Sequence, residues 1–247
     1  MLIENRGRIG RAGQPCHACG SPRNVPTSLV DEARALLRNP TEANVESALA
    51  ILLELEEPSW VSETPKQHLA LLDLALAAPT TSPSLRAKAL VARGRVAWRA
   101  GRIETSEHDL EAAVELGVVL GDRVVESLAK RFLAHVRLLR GRLEEARTLA
   151  TDARAIAVSL GDRQLEALAV SVLGYEARLR GEPRAARELL ESAIATFMRV
   201  GDDRFESGLR VDVVFTYLDD GDLATAARYA ERMLAAEAAL VNRARLE

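Results

Sequence analysis

The sequence predicts an all-α chain, an α-solenoid of antiparallel helical hairpins. Three observations predict it. Glycine falls at 101, 121, 141, 161, 181, 201 and 221, an unbroken spacing of 20. The apolar residues between those glycines recur at steps of three and four. Apolar residues make up 48% of the chain but aromatics only 4%, so the core is built mainly from Leu, Ala and Val, the first two being good helix formers.

The glycine contexts alternate. Gly121-Asp122-Arg123, Gly161-Asp162-Arg163 and Gly201-Asp202-Asp203-Arg204 form one class. Gly101-Arg102, Gly141-Arg142, Gly181-Glu182 and Gly221-Asp222 form the other. The true period is therefore 40, with two helices per unit. Glycine just past a helix takes the left-handed conformation that ends it cheaply. An Asp directly after it caps the next helix. Glu126, Glu166 and Glu206 follow near the start of that helix, where the helix dipole favours an anion. Turns this short force neighbouring helices to run antiparallel.

The helix after Gly141 shows the apolar period in full. Leu143, Ala146, Leu149, Ala150, Ala153, Ile156, Ala157 and Leu160 fall on one face. Glu144, Glu145, Arg147, Thr151 and Asp152 fall on the other. A single hairpin cannot bury both of its apolar faces, whereas a stack of hairpins can.

These units resemble tetratricopeptide repeats. That motif has a small residue midway along its first helix, here Gly94, Ala134, Gly174 and Val214. It has a Gly between helices, here 101, 141, 181 and 221. It has two small positions on the second helix, here Ser106, Ala146, Ala186 and Ala226, then Ala113, Ala153, Ala193 and Met233. The usual Trp and the Pro after the second helix are missing, and the period is 40 rather than the common 34. The resemblance implies a right-handed superhelix. The Leu-Gly-Asp-Arg junctions, with Pro58–Val61 through Ser84–Leu90 ahead of them, look like the helical arrays of bacterial ATPase-type regulators. These include LuxR-type transcription regulators and kinase- or cyclase-linked ATPases. The likeness covers roughly residues 40–240.

Along the chain, residues 1–27 are rich in Gly, Arg, Pro and Ser without a period and read as a loosely attached tail. Residues 28–83 read as an irregular helical lead-in: helices over 29–38, 41–57 and 65–78, with Trp60 in the loop between Pro58 and Pro65 and placed to seal the N-terminal edge. Residues 84–247 read as four hairpins: 84–121, 122–161, 162–201 and 202–247.

Charge and motifs exclude much. The 33 Lys and Arg against 36 Asp and Glu give a net charge of −3, without the basic excess typical of nucleic-acid binders. No apolar run reaches the ~18–20 residues of a membrane span, and no apolar stretch follows Arg6, Arg8 and Arg11 to make a secretory signal. The expected location is the cytoplasm. No Gly-Lys pair exists, so the nucleotide-binding part of the suspected parent architecture is not in this chain. Cys16-His17-Ala18-Cys19 is half of a zinc knuckle without its second half; Cys16 and Cys19 are the only metal candidates, and no cofactor is expected. His108 lies among Glu104, Glu107, Asp109 and Glu111 as part of a solvated face. No nucleophile, metal motif or acid–base pair is found, and the chain reads as non-catalytic.

In tetratricopeptide arrays the first helix of each hairpin lines the concave face, and the residue after the mid-helix small residue points into the groove. By that resemblance the row is Arg95, His135, Tyr175 and Phe215, with Arg99, Arg131, Ser171, Arg178, Val211 and Asp212 beside it. The row is cationic at its N-terminal end and aromatic further on. Trp98 reads as core. The expected function is a protein–protein interaction scaffold in bacterial signalling or transcriptional regulation, binding a peptide or protein segment in the groove, with self-association open. The alternative is an effector-sensing segment of an ATPase-type regulator.

Overall fold

The computed structural model describes residues 27–54, 65–78, 82–202 and 205–244. The tail with Cys16 and Cys19, and Trp60, lie outside the described residues. Among those described the chain is all α, without a strand. It begins with α1 (Thr27–Leu37), α2 (Glu42–Glu54) and α3 (Pro65–Ala77). Four hairpins follow: α4 (Pro83–Arg99) with α5 (Ile103–Leu120), α6 (Arg123–Leu139) with α7 (Leu143–Leu160), α8 (Arg163–Leu179) with α9 (Pro183–Val200), and α10 (Glu206–Asp219) with α11 (Leu223–Ala244). No described helix is long and apolar enough to cross a membrane.

One turn geometry repeats at all seven lattice glycines. Each has φ between 66° and 79°, and beyond the glycines no described residue has positive φ. At Gly161 the glycine N–H donates to the Val158 carbonyl at 3.0 Å, and the next N–H, of Asp162, reaches back to Ala157 at 3.0 Å. These two hydrogen bonds satisfy carbonyls that the helix end leaves open. The Asp162 carboxylate then accepts from the Leu165 N–H at 2.9 Å and caps α8; Asp122 caps α6 and Asp222 caps α11 in the same way. In the fourth hairpin Asp202 accepts from Gln164 Nε2 at 2.6 Å, and α10 starts at Glu206 behind Phe205.

Two layers result. Each helix packs on its chain neighbours, and α4 also touches α6, and α6 touches α8, while the helices between them, α5, α7 and α9, make no comparable contact with one another. The helices α4, α6 and α8 are therefore the closely spaced inner layer. The α2 helix touches α4 in the same manner, so this layer reaches toward the N-terminus.

Packing inside the first three hairpins is matched by size. A Cβ on Gly94 would lie 2.7 Å from Leu110 Cγ, and one on Gly174 would lie 2.8 Å from Leu190 Cγ. Where the inner residue is Ala134, the corresponding outer residue is Ala150, and both are fully buried in one cluster. Ser106 fits beside Gly94 by donating its hydroxyl to the Gly94 carbonyl at 2.7 Å. Leu160, expected in the apolar face of α7, is instead 42% exposed, as the last residue of that helix.

Charge joins the hairpins on the outside. Glu104 pairs with Arg140 at 3.2 Å, Glu144 with Arg180, and Arg184 with Asp220 at 3.4 Å. The three pairs occupy one lattice position, with the sign inverted in the last. Such exposed pairs are worth little individually, but the inversion disfavours pairing of the wrong units.

Candidate functional site

The inner layer encloses a groove of about 440 Å³. The α4 helix supplies Trp98 and Arg99, α6 supplies Arg131, Phe132 and His135, and α8 supplies Leu168, Ser171 and Tyr175. Gly208, Leu209 and Asp212 of α10 complete it, with Phe205 from the preceding turn and Phe197 from the outer helix α9.

The geometry interleaves cations and rings. The Arg131 guanidinium lies 3.6 Å from the Phe132 ring centroid, and that of Arg95 lies 4.7 Å from the same ring. His135 sits between Trp98 and Tyr175, with ring centroids 5.5 and 5.7 Å away. Its Nδ1 is 3.2 Å from the Arg131 carbonyl oxygen, which can only accept, so Nδ1 carries the proton. Burial, and then the nearby Arg131 charge, push the His135 pKa down to about 4, so the ring is neutral at pH 7. The Tyr175 hydroxyl donates to Asp212 Oδ2 at 2.9 Å and bridges α8 to α10. Burial, with the Asp212 charge adding to it, raises the Tyr175 pKa far above its ordinary value. Asp212 is itself raised, by burial first. Ser171 donates to the Leu168 carbonyl at 2.8 Å, which leaves its oxygen lone pairs to offer.

Of the residues singled out from sequence, Arg99, Arg131, His135, Ser171, Tyr175 and Asp212 line this groove, and Val211 does not. Arg95 lies one contact away, behind Phe132. Arg178 and Phe215 lie outside it: the Arg178 Nε donates to Asp219 at 2.5 Å, its guanidinium lies 4.9 Å from the Phe215 centroid, and Phe215 is 41% exposed. The expected separation into a cationic and an aromatic end is corrected, since both kinds of residue meet in one pocket. Trp98, expected in the core, is only partly buried: it packs against the core cluster and also lines the groove.

Sequence reasoning missed Phe132, Leu168, Leu209, Phe197, Phe205 and Gly208. Phe132, Leu168 and Gly208 were within reach, because they lie one or two helical turns back from the row at 135, 175 and 215. Phe197 and Phe205 were not, because one comes from an outer helix and the other from a turn.

A second buried histidine shares the electrostatics of this region. His68 of α3 is 5% exposed, and its Nε2 has no hydrogen-bond partner. Burial first, then the Arg95 charge, lower its pKa to about 4. In the unfolded chain both histidines titrate near 6.5. Between those values the unfolded chain takes up protons that the folded chain refuses. Stability that is complete above pH 6.5 is therefore lost as the pH falls toward 4. For His68 alone the loss between pH 7 and pH 5 is about 2 kcal/mol. A His68→Leu chain should lose correspondingly less on acidification. Urea midpoints at pH 7, 6 and 5 check this; curves parallel to the native ones would show that His68 titrates normally.

No family model matches this chain, and no curated protein is similar to it in sequence. Solved structures are. BtubC (BKLC) from P. vanneervenii superposes with a TM-score of 0.65 at 18% identity, over 87% of this chain and 89% of its own. A Rap protein complexed with the competence and sporulation factor gives 0.71 at 14% identity, over 86% of this chain but only 59% of its own. TPR-like repeats from Podosopora anserina give 0.53 at 17% identity, over 87% and 96%.

Proposed function

We propose that this chain, a tetratricopeptide-type helical repeat protein, is a non-catalytic scaffold that takes a peptide or protein segment into its inner groove. The observation that carries this reading is the convergence of three successive inner helices on one aromatic pocket with Arg99 and Arg131 in its lining. Stacked Trp, Tyr and Arg side chains are the usual anchors of protein recognition. The matched Rap structure holds the competence and sporulation factor, which supports a place in bacterial signalling or transcriptional regulation; the chain spans 59% of that protein.

The test is capture by the immobilised chain against an Arg131→Ala/Tyr175→Ala variant whose helix content by circular dichroism is unchanged. Partners held by the native chain should be lost from the variant. Equal capture by both would remove the groove from the proposal.

One observation favours a second reading, an effector-sensing segment. The groove's volume of about 440 Å³ lies within the range of small-molecule pockets. A small effector would raise the thermal midpoint of the native chain but not of the variant.

A further inference from the structure

Each hairpin of the array covers one face of the hairpin before it. On the inner helices that face runs through His135 of α6, which touches Tyr175 of α8, and through Tyr175 and Arg178, which bond Asp212 and Asp219 of α10. The matching lattice positions on α10 are Val211, Phe215 and Leu218, and all three are exposed. Val211 is 46% exposed, whereas Ser171 and Arg131, one and two units earlier, are buried. The outer helix shows the same change. Leu234 of α11 is 67% exposed, whereas its equivalent Ile194 on α9 is buried in one cluster with Leu209 and Val213 of α10.

This terminal face also differs from the internal junctions in charge. One position on each outer helix reaches across its junction: Glu107 pairs with Arg137 and Arg140, Arg147 with Glu176, and Arg187 with Asp220. On α11 that position is Ala227, and Ala230 lies one turn before Leu234. A charge suits a junction between two different helices, where the partner can carry the opposite sign. Across a two-fold axis each side chain lies near its own copy, so a charge close to the axis meets its like. An uncharged face therefore suits a second copy of the same end. The other end of the array is no match for it. Among the described residues of α1–α3 the one large apolar side chain that is exposed is Leu74, and α1 exposes Asp31 and Glu32. Head-to-tail stacking would press an apolar face onto those charges.

We infer that this chain pairs with a second copy through the C-terminal end of its array. Val211, Phe215 and Leu218 of α10, with Ala227, Ala230 and Leu234 of α11, meet the same residues of the other copy about a two-fold axis. Removal of apolar surface from water drives the pairing. It closes at two copies, because each copy covers the face it uses. None of the six residues lines the groove, so the inference stands apart from what the groove takes.

Sedimentation equilibrium of the full chain tests it, from low micromolar to submillimolar concentration. The mass should rise from 26.9 kDa to a plateau at twice that value. The Phe215→Asp/Leu234→Asp variant should keep its helix content by circular dichroism and dissociate about 30-fold or more readily, because each carboxylate would be buried without a partner. Ala227→Glu, a second variant at an exposed helical site, should weaken pairing likewise. The control is Val119→Asp, an exposed apolar position on α5 outside this face, which should pair as the native chain does. A native chain that stays at the single-chain mass, or variants that pair as tightly as it does, would overturn the inference. So would a mass that climbs past two copies, which marks head-to-tail stacking, and so would dissociation by Val119→Asp, which moves the contact to the edge of the array.

Discussion

Gly117→Val should lower stability by about 2–3 kcal/mol and uncouple α1–α5 from α6–α11 in urea unfolding. Gly117 lies in α5 where that helix crosses the start of α6. A Cβ placed there would lie 2.9 Å from the Glu126 amide nitrogen and 3.1 Å from its Cα. Those are backbone atoms of a helix, so they cannot swing aside as a side chain can. The valine methyls add to the overlap, and α6 must move off α5. In a stacked array each unit leans only on its neighbours, so a weakened junction divides the cooperative unit. The control is Gly161→Ala. There the penalty is backbone conformation alone, because φ is 68° and a Cβ would meet nothing within 4 Å. That change should lose about 1 kcal/mol without splitting the transition. A single transition in Gly117→Val, with a loss no larger than that of Gly161→Ala, would show that α6 shifts freely.

Asp109→Ala should lose about 3 kcal/mol, although Asp109 sits among the charges of an outer helix. The residue is 0% exposed. Its two oxygens accept from Arg93 Nε and Nη2, each at 2.6 Å, and Arg93 also reaches Asp73 at 3.2 Å. Removing the carboxylate strands a mostly buried guanidinium with one longer partner. Breaking such a pair is far worse than replacing both members with apolar groups. The Arg93→Met/Asp109→Leu double variant should therefore recover most of the loss. A complete double-mutant cycle measures the coupling. A single-variant loss below about 1 kcal/mol would mean that water reaches the Arg93 head group and screens it.

Much of the fold was legible because its punctuation is local. A left-handed residue after a helix, followed by a capping carboxylate, needs only neighbours in sequence, and the glycine lattice records it. The inner face was legible in part for the same reason. His135 and Tyr175 repeat at the period of the array, and both line the groove. Phe215 continues that row by number, yet it stands outside the groove against Arg178, a contact that the period does not encode.

The helices, their order, the turns and the hairpin pairing follow from local backbone conformation and helical period, and so can be read along the chain. How closely successive hairpins approach depends on contacts between units. The lattice position of Gly117 is Ala157 one unit on and Phe197 in the next; the last two are fully buried, and Phe197 stacks on Phe205 with centroids 5.2 Å apart. A residue that admits no Cβ at one junction becomes a phenyl ring at another because its fit depends on atoms contributed by the next hairpin. The same holds for charge. Asp109 and His108 are adjacent in an acidic stretch, yet one is fully buried on Arg93 and the other is exposed. Which side of the helix meets a partner is set by packing across the layer, and a one-dimensional period does not carry it.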